Sequence, residues 1–118
     1  MRDFRKYRIW QDAISITNDI YSITDSFPKN ETYGLSNQLQ RAAVSISSNI
    51  AEGAARFSDA DFAHFLDFAL GSAFEVETQL KISNSVGYIN NDIYQNLLLG
   101  INDIEKQLNG LINSIRNS

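Results

Sequence analysis

The stretch that decides the fold is residues 97–115, LLLGINDIEKQLNGLINSI, in a chain of 118 residues. Its apolar residues alternate by four and three positions without error: Leu97, Ile101, Ile104, Leu108, Leu111 and Ile115. That spacing predicts a helix over about 91–116 with one apolar seam. Asp103, Glu105 and Lys106 fall elsewhere on this helix, so the seam must pack against other helices.

Three earlier segments, about 4–26, 32–52 and 58–86, have the same helical period. The first has the stripe Ile9, Ile16, Ile20, Ile23 and Phe27; the second has Leu35, Leu39, Ala42, Ile46 and Ile50. The third has Phe62, Phe65, Leu66, Ala69, Ala73, Val76 and Leu80. No alternating strand pattern is present. We therefore predict an all-α fold, an antiparallel up-down-up-down four-helix bundle in a single domain over 1–118.

The residues between the segments are typical of helix ends. Pro28 excludes helical backbone at Phe27, and Ser58 is the predicted N-cap of the third helix. Gly53 and Gly87 are predicted to end the second and third helices, Gly53 as a cap in the left-handed conformation.

Composition excludes several classes of protein. The chain has no cysteine, and no apolar run is long enough to span a membrane. The charged first ten residues lack the apolar core of a secretory signal, so we expect a cytoplasmic protein without a membrane partner.

The sequence is also poor in catalytic combinations. Its one histidine, His64, forms with Asp61 at most half of a di-iron motif, which needs a second histidine and further glutamates. We expect no enzyme activity, no metal, no cofactor and no small-molecule substrate.

Charge is distributed unevenly, although the net value is only −4. The first ten residues have a local charge of +3, because they contain one acid, Asp3, and four bases: Arg2, Arg5, Lys6 and Arg8. The remaining chain carries −7, which argues against a broad nucleic-acid surface. The basic terminus is either a local nucleic-acid contact or a solvated end that aids solubility.

The second segment has few charges, Arg41 and Glu52 being the only ones between Leu35 and Gly53. A polar stripe runs along it at helical spacing, composed of Gln38, Arg41, Ser45, Ser48 and Glu52, with Asn49 beside it. These residues either form interhelical hydrogen bonds that fix register or line a subunit interface or channel.

Three residues of the third segment lie off or at the edge of its apolar stripe. Phe68 and Phe74 project on opposite flanks and need cover from another surface. Glu77 lies at the edge of the stripe, where we expect it to pair with Arg41 or Arg56.

Residues 38–53, QLQRAAVSISSNIAEG, resemble the signature of the four-helix bundle proteins encoded in intervening sequences of 23S ribosomal RNA genes. Other residues typical of the family occur in the expected order, Trp10-Gln11 and Phe27-Pro28 before the signature and Arg56 after it. A second block of the family lies over residues 71–80 and contains Glu75 and Glu77. The resemblance implies a cytosolic bacterial bundle that assembles into a homopentameric barrel. A related, strongly basic branch serves diversity-generating retroelements as an accessory protein that binds nucleic acid and the reverse transcriptase.

Two functions follow as hypotheses. The first is a homo-oligomeric, pentameric scaffold that binds RNA, DNA, a ribonucleoprotein or a nucleic-acid enzyme through one end of the barrel. The second is a protein-interaction module without nucleic-acid binding that uses the surface of Phe68 and Phe74.

Overall fold

The computed structural model describes residues 2–118. Four α-helices account for most of the chain: α1 (Arg8–Thr24), α2 (Leu35–Ala54), α3 (Asp59–Ser85) and α4 (Asn91–Arg116). Short 3-10 helices at Phe4–Lys6 and Lys29–Glu31 precede α1 and α2. The all-α bundle predicted from the sequence is confirmed, and the predicted bounds of α3 and α4 agree with the structure to within one residue.

The first helix begins later than predicted. A continuous helix from residue 4 is wrong, since Tyr7 has extended backbone (φ −73°, ψ 126°) that separates the 3-10 turn from α1. The Tyr7 ring stacks on that of Phe62, with 6.1 Å between the ring centroids. The break therefore accompanies a contact with α3, a distant segment that the local pattern could not indicate.

Contacts between helices give their directions. Ser45 of α2 bonds to Ser72 of α3, and Gly53 lies against Phe65, so the α2 numbers fall as the α3 numbers rise. Glu77 of α3 bonds to Asn102 of α4, while Asp67 bonds to Arg116. Both neighbouring pairs are therefore antiparallel, and the bundle measures 45 × 23 × 20 Å.

The core follows the predicted stripes. Each of the six seam positions of α4 is at least half-buried, and Leu97, Ile101, Ile104 and Leu108 are fully in the core. Toward the end of α4 the core shifts by one residue, because Ile112 is buried while Leu111 is only half-buried. Such a drift is expected of a straight helix, whose 3.6-residue turn does not divide seven evenly.

The ends of α3 are closed as predicted. The Ser58 hydroxyl accepts a hydrogen bond from the Asp61 amide (3.1 Å). At the other end Gly87 has a φ of +86°, and the Tyr88 amide donates to the Ser83 carbonyl (2.8 Å). This bond reaches back from beyond the helix end to its last turn, as in a Schellman motif.

The prediction for Gly53 is wrong. Gly53 lies inside α2, and Gly87 is the only residue of the described chain with positive φ. A Cβ on Gly53 would lie 2.6 Å from the Cβ of Phe65 and 3.3 Å from the Phe62 carbonyl oxygen. Glycine is required there because α3 passes too close for a side chain.

Within residues 2–118, none of the helices has the length and apolarity needed to cross a membrane.

Candidate subunit interface on helices α2 and α3

A polar groove runs along the outer surface between α2 and α3. It has a volume of about 390 Å³. Two helices line it, with Gln38, Arg41, Ala42 and Ser45 from α2 and Ser72, Glu75 and Gln79 from α3. Residues three and four apart share one helix face, so the first three residues of the predicted polar stripe, Gln38, Arg41 and Ser45, form one wall of this groove.

Some polar groups of the stripe are bonded inside the protomer. The Ser72 hydroxyl donates to the Ser45 hydroxyl (2.9 Å), joining α2 to α3. The Asn49 amide donates to the Ser45 carbonyl (2.8 Å) and hydroxyl (2.9 Å). The Ser72–Ser45 bond fixes the two helices relative to each other, as one of the sequence interpretations expects, whereas the Asn49 bonds stay within α2.

The other members of the stripe face solvent. Gln38, Arg41, Ser48 and Glu52 are exposed. In the groove, the Gln79 side-chain oxygen is buried without a hydrogen-bond partner. A buried acceptor without a donor costs free energy.

Arg41 differs from the other arginines of the described chain. Arg2, Arg5, Arg8 and Arg116 each pair with a carboxylate. The Arg56 guanidinium lies 4.4 Å from the centre of the Phe65 ring. Arg41 has neither kind of partner within residues 2–118, although it lies in a groove that also contains Glu75.

An exposed aromatic patch continues from the groove toward the start of α3. The Phe68 ring is 52% exposed and meets Phe65 edge-on, with 6.0 Å between centroids. His64 also packs edge-on against Phe68. Nearby in the α2–α3 connection, Phe57 is fully exposed. These rings offer apolar area that the protomer leaves uncovered.

Phe74 and Glu77 lie on the other flank of α3, toward α4. Phe74 is half-exposed and six residues from Phe68, which places the two rings about 120° apart around the helix. The predicted pairing of Glu77 with Arg41 or Arg56 is wrong, because both arginines are on the α2 side. Glu77 instead accepts a hydrogen bond from the Asn102 amide (2.8 Å).

Glu105 of α4 completes this second polar cluster. The sequence placed Glu105 off the seam, yet it is buried at the seam's α3 edge, where Asn102 donates to it as well (3.1 Å). The pKa of Glu105 is raised from 4.5 to about 7, chiefly by burial and next by the hydrogen bond with Glu77, whereas the hydrogen bond from Asn102 opposes the shift. Its second carboxyl oxygen is buried without a hydrogen-bond partner.

The basic N-terminus is folded onto the bundle. Arg2 donates to the carbonyls of Ala54 (3.4 Å) and Arg56 (2.7 Å), pairs with Asp59, and lies 4.6 Å from the centre of the Phe62 ring. Cations near a helix C-terminus are favourable, so Arg2 stabilises the end of α2.

The other predicted basic contacts remain accessible to different degrees. Arg5 is exposed beside Asp3 (3.4 Å), and Arg8 bridges Asp12 (3.5 Å) and Asp103 (3.2 Å). Lys6 is exposed and takes no part in the ion pairs of residues 2–118. The sequence could not indicate the role of Arg2, since its acceptors lie more than fifty residues away.

Metal ligands do not gather in the part of the chain that the structure describes, where no three His, Cys, Asp or Glu side chains are placed to hold an ion.

Comparisons with known proteins agree with this architecture. The model of the 23S rRNA-intervening sequence protein family matches residues 5–110. A crystal structure of a protein of unknown function from the S23 ribosomal protein family of Bacteroides thetaiotaomicron is similar, with a TM-score of 0.82 and 26% identity. The similarity covers 88% of this chain and 97% of that chain. No curated protein matches the sequence.

The family match includes all of α1, α2 and α3 and most of α4. The chain therefore belongs to the 23S rRNA-intervening sequence protein family.

Proposed function

We propose that the protein is a cytosolic, non-enzymatic scaffold that assembles with copies of itself through the outer face of α2 and α3. The observation that carries this proposal is the position of the signature residues. Gln38, Arg41 and Glu52 are exposed on one face, next to the uncovered Phe68 ring. Charged residues on this face are few and apolar area is present, as in the core of a typical protein interface.

Small side chains support the same assembly. Along α2 the outward positions include Ser45 and Ser48, and Val44 is 42% exposed. Such a helix allows close approach of a second backbone. It also offers little of the lysine and glutamate surface that is typical of a solvated helix.

The number of subunits follows from the family resemblance, which implies a homopentameric barrel. Light scattering of the protein at micromolar concentration tests this directly. The expected mass is about five times the 13.3 kDa of the chain. A mass of one subunit would contradict the proposal.

We further propose that the end of the bundle holding the N-terminus contacts RNA or a ribonucleoprotein. Arg2 holds the N-terminus beside Arg56, so the exposed Arg5 and Lys6 share this end with the exposed Phe57 ring. Bases near an aromatic ring suit single-stranded RNA, whose phosphates pair with cations while its bases stack. In a pentameric barrel, Arg5, Lys6 and Phe57 would recur in every subunit around one end of the assembly.

Fluorescence anisotropy with a labelled single-stranded RNA tests this contact. Affinity should fall as salt rises, with a log–log slope of about −0.7 per neutralised phosphate. The double variant Arg5→Ala, Lys6→Ala should bind more weakly, while Lys29→Ala at the other end of α1 should bind as the wild type does. A salt-independent affinity, or equal binding by both variants, would contradict the contact.

The alternative function is a protein-interaction module without nucleic-acid binding. It is supported by Phe74, which is half-exposed on the α4 flank of α3, away from the proposed interface. Recovery of a stoichiometric protein after nuclease treatment, lost on changing Phe74 to aspartate, would favour this module over the RNA contact.

A further inference from the structure

We infer that Arg41 of one subunit binds Glu75 of the next, so that an intersubunit ion pair in the α2–α3 groove determines how the copies fit together. This inference rests on the assembly proposed above and specifies its contact. The partner surface is therefore a second copy of this chain.

The charges of the groove provide the first step. Arg41 and Glu75 both line it, both are exposed, and neither joins an ion pair within residues 2–118. Elsewhere in the chain exposed arginines find carboxylates, as Arg8 does with Asp103 and Arg116 with Asp67. An unpaired cation and an unpaired anion can each pair with the opposite charge on a neighbouring copy.

Position along the bundle provides the second step. The Ser45–Ser72 hydrogen bond shows that these two residues lie at the same height along the bundle axis. Because the helices are antiparallel, Arg41 and Glu75 lie about one turn from that height in the same direction. Subunits side by side around a barrel axis place groups of equal height opposite each other. Arg41 of one copy and Glu75 of its neighbour meet this condition.

The same argument excludes the other open carboxylate of the face. Glu52 lies eleven residues from Arg41, which is about 16 Å along the axis of α2. A side-by-side neighbour cannot bring Glu52 to Arg41 without sliding by that distance. Glu75 is therefore the partner that a closed ring allows.

Charge reversal and mixing test the pair. Arg41→Glu and Glu75→Arg should each weaken assembly more than about tenfold, because like charges then face each other across the interface. An equimolar mixture of the two variants should recover assembly in part, since in a ring of five subunits up to four interfaces then join opposite charges, while at least one still joins two copies of the same variant. Lys106→Glu, an equal charge change on exposed α4, should assemble as the wild type does. Circular dichroism checks that each variant is folded.

The possible outcomes distinguish failure of the Arg41–Glu75 pair from failure of the proposed assembly. A monomeric wild-type protein would overturn the proposed assembly. Wild-type mass with either reversal variant unaffected would leave the assembly standing and overturn the pair. A double variant Arg41→Glu, Glu75→Arg that assembles, together with a mixture of single variants that stays monomeric, would place the pair inside one subunit and likewise overturn the inference.

Discussion

The backbone of Gly53 lies so close to Phe65 that a Cβ on the glycine would be 2.6 Å from the Cβ of the phenylalanine. Close approach at this point joins the end of α2 to the start of α3. It also holds Phe65 where Arg56 and Phe68 pack against it. The last residue of the family signature therefore positions the aromatic part of the proposed interface.

We predict that Gly53→Ala lowers the free energy of unfolding by about 1–3 kcal/mol, because the added methyl group forces α2 and α3 apart. Gly110→Ala is the matched control. Gly110 is also inside a helix, but nothing lies within 4 Å of its Cβ position. That change should stabilise the protein by up to about 1 kcal/mol through helix propensity alone. Urea unfolding of both variants gives the comparison, and equal effects would contradict the close-approach role of Gly53.

Glu105 should make stability depend on pH. Its pKa is about 7 in the folded protein and 4.5 ordinarily, so the folded state binds more protons between these values. The free energy of unfolding should therefore fall as pH rises from 4.5 to 7, and its contribution is fully lost above 7. Glu105→Gln should remove this component and raise stability at pH 8 by on the order of 2 kcal/mol.

The groups around Glu105 do not cancel this effect. Glu77 faces it from α3, and Lys81, one turn along, lies over the Tyr94 ring instead. On the α1 side of α4, Arg8 pairs with Asp103. The exposed-site change Asp19→Asn, outside the proposed interface, should leave the pH profile unchanged. Identical pH profiles of the wild type and Glu105→Gln would contradict the raised pKa of Glu105.

Arg2 and Lys6 should respond differently to removal of their charge. Arg2→Ala should destabilise the fold by about 1–2 kcal/mol, because it removes the bonds to the end of α2 and the contact with Phe62. Lys6→Ala should change stability by less than about 0.5 kcal/mol, as exposed substitutions usually do. Thermal unfolding measures both. Wild-type thermal stability of the Arg2→Ala protein would mean that the N-terminus is not held by this side chain.

Phe68 and Phe74 should have separable roles. Phe68→Asp should shift the protein toward monomer, because the charge would lie in the proposed interface. Phe74→Asp, with nearly the same exposure on the opposite flank, should keep the wild-type mass. Light scattering of the two variants is the measurement, and dissociation by Phe74→Asp alone would move the interface to the α4 side.

The sequence predicted the parts of the fold that depend on local periodicity. The bounds of α3 and α4, the buried stripes and the Gly87 terminus are all properties of one helix and its ends. The break at Tyr7, the role of Gly53 and the partner of Glu77 were missed, since each depends on a contact between distant segments. In the candidate interface, spacing placed the polar stripe on one face of α2. It could not show which side chains of that stripe were already bonded to α3.

The attachment of Arg2 has a consequence for the order of folding. Its three polar partners follow it by 52, 54 and 57 residues, at the end of α2 and the start of α3. Arg2 therefore cannot make these bonds until the end of α2 and the start of α3 are both in place. The 3-10 turn before α1 is held on a surface that two later helices supply, so its position depends on long-range contacts and not on its local sequence.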